Sequence, residues 1–147
     1  MKQLPNANCI RLIAGVLLSV FAVSACTESG PPLLRNVTAA SGWVGACPPQ
    51  NEFEERLQAQ GLALSPELNS RLFLQFPPGS TADYLVKALN DQGFKLSGSC
   101  QNDPSILEAI FEGNTGSIFD TWAAIYWKVD IAHNIVWTKG FVAFEGL

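Results

Sequence analysis

His133 is the only histidine of the chain, three residues from Asp130 in an expected turn. A general base needs a nucleophile within reach and a third group to orient it. Serines and threonines are plentiful, yet no Gly-x-Ser-x-Gly elbow and no Ser-x-x-Lys pair is present. A solvated turn residue is therefore the expectation for His133. Glu52, Glu54, Glu55 and Glu67 lie near expected helix starts, where capping and the helix dipole account for them. A metal centre needs clustered His or Cys ligands, and 1 His with 4 scattered Cys does not supply them. Glycine-rich phosphate loops are absent as well. These residue types predict no catalytic site, no metal and no cofactor.

The aromatics carry a stronger signal. Trp122, Tyr126, Trp127 and Trp137 crowd together near the C-terminus, with Lys128 and Lys139 among them. Residues 122–131 alternate as a strand does. Ala123, Ile125, Trp127, Val129 and Ile131 take one face, and Trp122, Tyr126, Lys128 and Asp130 take the other. A period of two cannot bury Trp122 and Trp127 on the same side. Trp122, Tyr126 and Lys128 therefore form a candidate binding face, because Trp and Tyr concentrate at interfaces. The competing expectation is that loop 113–120 and the C-terminus cover that side.

The elements that hold these residues follow from local patterning. Asn51 and Glu54 open a short helix over 51–60, closed by Gly61. Ser65 and Pro66 open a second helix over 66–75, although Leu72, Leu74 and Phe76 also fit a strand. Ser80 and Asp83 open a third over 81–92, with an apolar stripe of Ala82, Leu85, Val86 and Leu89. Gly93 supplies its stop, and Phe94 folds back on Leu89. Strands are expected at 94–100, with Phe94, Leu96 and Cys100 inward, then at 105–112, 122–131 and 135–144, with Gly140 as a bulge. The stretch 105–112 has helical spacing too, but it lies between strands and ends on Glu112, which a helix dipole would oppose. A turn at 132–134 makes the last two strands a hairpin.

Composition bounds the remaining choices. A chain of 147 residues suits one domain. Charged residues make up 15%, too few for a coiled coil or a charged disordered tail. A net charge of −4 and a pI near 4.8 argue against nucleic acid as a partner.

Residues 1–25 read as a secretory signal: Lys2 and Arg11 precede an uncharged run from Leu12 to Ala25. That run is shorter than the roughly 20 residues that span a bilayer. It ends in Val23-Ser24-Ala25-Cys26, which resembles the lipobox of bacterial lipoproteins. The resemblance implies acylation of Cys26 and a membrane held through several acyl chains rather than a transmembrane helix. An ordinary secretory signal, with Cys26 in a disulfide, is the alternative. Thr27, where an Asp commonly retains such proteins in the inner membrane, favours the outer membrane of a Gram-negative host. Removing Lys2 and Arg11 leaves seven basic against thirteen acidic residues, a net charge of −6. With Cys9 removed and Cys26 acylated, Cys47 and Cys100 remain. An oxidising compartment implies a disulfide between them, with two buried thiols as the alternative. Residues 26–42 then read as a lipid-anchored tether rich in Gly, Pro, Ser and Thr, and 43–147 as one domain beginning near Trp43.

Helices followed by an antiparallel sheet make an α+β layer arrangement. The order resembles small outer-membrane lipoproteins of the SmpA/OmlA (BamE) type and β-lactamase-inhibitor-like folds. Pro78-Gly79-Ser80-Thr81, Gly93-Phe94 and Trp127-Lys128-Val129-Asp130 carry that resemblance. It implies a periplasm-facing binding or scaffold module, not an enzyme, that contacts another envelope protein. An inhibitor or immunity protein blocking an enzyme through its sheet face is the alternative.

Overall fold

The computed structural model describes residues 30–39, 46–49, 51–52, 55–56, 64–115 and 120–145. Among the described residues, a 3-10 turn at Pro32–Leu34 precedes helices α1 at Pro66–Gln75 and α2 at Ala82–Asp91. Four strands follow: β1 at Lys95–Cys100, β2 at Asp103–Gly113, β3 at Asp120–Val129 and β4 at Ile135–Glu145. They form one antiparallel meander in the order β1-β2-β3-β4. The expected α+β architecture is the one observed.

Each helix shows its cause. Ser65 caps α1 by accepting from the Leu68 N–H, and Pro66 takes the first turn, where its missing N–H costs nothing. The helix reading of 66–75 therefore holds over the strand. Pro77 and Pro78 follow its end. The cap of α2 departs from expectation: it falls on Thr81, and no side chain satisfies it. The β3–β4 turn does this work instead. Ala82 N–H donates to the His133 carbonyl at 3.0 Å, and Thr81 bridges to Asn134. At the other end Gly93 adopts φ 86°, and the Phe94 N–H bonds back to the Leu89 carbonyl at 3.0 Å.

Both helices lie on one face of the sheet. Leu68, Leu72, Phe76, Leu85 and Leu89 pack there against Ala109, Ala123, Ile125, Trp127 and Val142. Trp127 is fully buried. Residues 30–39 of the expected tether join this core. Leu33 and Leu34 are buried, Leu33 N–H donates to Gln92 Oε1 at 2.9 Å, and Arg71 Nη1 donates to the Leu33 carbonyl at 2.8 Å. Two leucines removed from water contribute about 1.5–3 kcal/mol each, enough to dock a short segment. The expected domain start near Trp43 lies outside the described residues.

Three further expectations are corrected. Leu96 is 54% exposed rather than inward: it pairs with Ala109 of the helix-covered face, but on β1, the edge of the sheet, it stays open to solvent. Ile131 leaves the core face and is fully exposed, since β3 ends at Val129 and a turn begins at Asp130. Gly140 is no bulge; pairing runs through it, and the shift lies between Lys128 and Val129. A glycine is needed there because a β-carbon would lie 2.5 Å from Leu68 Cγ and Cδ2. The helix expected at 51–60 is described only at residues 51–52 and 55–56, where Glu55 N–H bonds the Asn51 carbonyl.

Candidate functional site

The second face of the sheet carries the candidate site. Strand alternation places Trp122, Ala124, Tyr126 and Lys128 on it from β3. Cross-strand pairing sets Ala143, Phe141, Lys139 and Trp137 opposite them from β4. From β2, Ile106, Glu108, Ile110 and Glu112 pair with the same four β3 positions. Ile106, Ala124, Tyr126, Phe141 and Cys100 form a second small core there, with Ala46, Cys47, Trp122 and Trp137 packed at its margin.

The three residues expected on this face are together, but they differ in what they offer. Trp122 is half-buried. Tyr126 is only 4% exposed and meets the edge of Phe141 with ring centroids 5.6 Å apart. Its hydroxyl hydrogen-bonds Glu108, and burial, reinforced by that carboxylate, pushes its pKa up. Tyr126 is thus mainly a packing residue. The Lys128 ammonium is held 2.9 Å from Asp103 Oδ2. The Asp103 carboxyl, which also accepts from the Ser105 hydroxyl and from Lys128, sits below its ordinary pKa.

The pair that the sequence reasoning left out of the site is Trp137 and Lys139. Both are half-buried, and Lys139 Nζ stands 4.9 Å from the Trp137 ring centroid. Their i, i+2 spacing on a strand is the signal that would have joined them. A groove of about 300 Å³ opens beside this face, lined by Gly93, Lys95, Leu96, Ser97, Ile110 and Glu112.

The other candidates fall where capping and turn chemistry put them. His133 adopts φ 59° in the β3–β4 turn and is exposed. The Asp130 carboxylate accepts from the Ala132 and Asn134 N–H groups at 2.9 and 2.8 Å. It serves the turn, and those donors hold its pKa below the usual carboxylate range. Glu67 accepts from the Thr38 N–H and hydroxyl, tying the N-terminal segment to the first turn of α1. Glu52 pairs with Arg56 at 3.9 Å, and Glu54 lies outside the described residues. Among the described residues no three His, Cys, Asp or Glu side chains are grouped as a metal would need. None of their helices is long and apolar enough to cross a membrane.

Cys47 and Cys100 stand at bonding distance, with Sγ atoms 1.97 Å and Cα atoms 5.4 Å apart. Cys26 lies outside the described residues. No family model, curated protein or solved structure matches the chain.

Proposed function

We propose that this chain is an exported lipoprotein, acylated at Cys26, whose α+β domain is a non-catalytic binding or scaffold module of the cell envelope. It faces the periplasm, anchored in the outer membrane, and its partner is another envelope protein. One observation carries the binding role. The second sheet face presents Trp122 and Trp137 half-exposed, with Lys139 over the Trp137 ring. Rigid aromatics flanked by a cation are the side chains that dominate interface energetics. The paired positions of Cys47 and Cys100 support export, since disulfides persist in oxidising compartments. The binding residues are then Trp122, Trp137 and Lys139, with Tyr126 and Lys128 as their support.

Two measurements test this. Metabolic labelling with a palmitate analogue should mark the wild type and not Cys26→Ala, which should leave the membrane fraction. Capture from solubilised membranes should return an envelope protein with the wild type and much less with Trp122→Ala or Trp137→Ala. Both variants should keep a near-wild-type denaturant midpoint. Return of a single toxin or hydrolase would make the face an inhibitor's surface instead. Loss of folding in both variants would assign the two tryptophans to the core.

A further inference from the structure

Gly30 is pinned to one end of the sheet. A β-carbon on it would stand 3.0 Å from the Thr115 Cα, and Thr115 Oγ1 is 2.7 Å from Thr121 Oγ1. Thr115 follows the end of β2 and Thr121 belongs to the start of β3. The next residues hold the segment in place, with Pro31, Leu33 and Leu34 buried and Leu33 bonded to Gln92. Gly30, the first described residue, stands four residues after Cys26 in the sequence. Four residues span at most about 14 Å, whatever their conformation.

We infer that the end of the sheet carrying Thr115 and Thr121 faces the lipid surface, with the strands running away from it. This rests on acylation of Cys26. Chain length alone keeps Gly30 within about 14 Å of the Cys26 Cα. β3 then carries the chain outward over ten residues, about 33 Å at the usual strand rise. Its far end is the turn at residues 130–134, where Ile131 is fully exposed and Asp130 organises the backbone. The near end carries the exposed acids Glu112 and Asp120, which anionic lipid does not attract. The lipid is held by the acyl chains alone, and this end stands off the headgroups. The aromatic face, parallel to the strands, is displayed sideways into the compartment. Its partner is therefore a protein domain that reaches alongside, not one lying flat on the bilayer.

The test uses the full acylated chain in vesicles of phosphatidylethanolamine and phosphatidylglycerol that contain a headgroup nitroxide lipid. A fluorophore is attached at Asp120→Cys in one protein and at Ala132→Cys in another, both exposed positions. Quenching should be several-fold stronger at residue 120. Inserting a twenty-residue Gly/Ser linker after Ser29 should erase the difference. Equal or reversed quenching in acylated protein overturns the orientation and leaves the lipoprotein reading standing. Mass spectrometry that finds Cys26 unacylated overturns both.

Discussion

Asn69 of α1 satisfies both backbone groups of Gly140 in β4. Its Nδ2 donates to the Gly140 carbonyl at 2.8 Å, and its Oδ1 accepts from the Gly140 N–H at 3.0 Å. The Ser65 N–H reaches the same carbonyl at 3.2 Å. A side-chain amide thus takes the place of a fifth strand at this point of the outer edge of β4. The missing β-carbon of Gly140 lets Leu68 and Leu72 close over it.

Gly140→Ala should destabilise the fold by about 1–3 kcal/mol, because the new methyl meets the buried Leu68 and neither side can yield. Asn69→Ala should cost about 1–3 kcal/mol by leaving the Gly140 N–H without its partner. Urea titrations of both variants check these values. A Leu68→Ala/Gly140→Ala double variant should lose less than the sum of its singles, since the first change makes room for the second.

Trp127 divides core from face. Trp127→Ala should cost about 3–5 kcal/mol, the range for a buried aromatic. Trp127→Phe should cost clearly less, since its Nε1 is buried without a hydrogen-bond partner and the phenyl ring removes that orphan donor. Equal losses for the two variants would overturn this, because the phenyl ring would then recover nothing over the methyl group.

The pairing of Cys47 with Cys100 closes a loop of 53 residues. Closure on that scale contributes about 4 kcal/mol in the chain-entropy model. Reduction, or Cys47→Ala/Cys100→Ala, should lower the melting temperature by more than about 10 °C. Calorimetry with and without reductant measures it.

Acid should loosen the β3–β4 turn. The folded-state pKa of Asp130 is depressed by backbone donors. Its stabilising contribution is therefore present above the ordinary aspartate pKa and is lost as pH falls through the depressed value. The window opens at about pH 4 and extends downward. Asp130→Asn should be less stable than the wild type at pH 7, and the gap should narrow as the pH falls below about 4. Denaturant midpoints across that range, read beside Asp103→Asn, give the comparison. Asp103 should behave in the same sense, because Ser105 and Lys128 also depress its pKa.

The helix ends that are written locally were legible, Ser65 with Pro66 at one start and Gly93 with Phe94 at one stop, while the strand alternative for 66–75 stayed open because its apolar run is short. The 103–113 strand was harder. Ile106, Leu107, Ile110 and Phe111 have helical spacing, yet Ile106 and Ile110 serve one face of the sheet while Leu107 and Phe111 serve the other. A strand buried on both sides loses its alternation. Alternation in β3 did place Trp122, Tyr126 and Lys128 on one face. What it could not show was their partners. Glu108 and Asp103, which engage Tyr126 and Lys128, arrive from another strand. The docking of Leu33 and Leu34 was hidden for the same reason, because a short apolar pair without period says nothing about a helix that begins beyond residue 60.

The bonds between Asn69 and Gly140 also set an order of events. Seventy-one residues separate the two. The sheet is a meander whose neighbours are consecutive, so its hairpins can close early, as local contacts do. The helix layer cannot. Asn69 of α1 finds Gly140 only when β4, the last of the described strands, has arrived. A chain emerging N-terminus first would carry Leu68, Leu72 and Phe76 uncovered on this side until β4 has emerged. Chaperones that bind exposed apolar segments have their longest opportunity in that interval, and the seating of α1 on the sheet cannot precede β4.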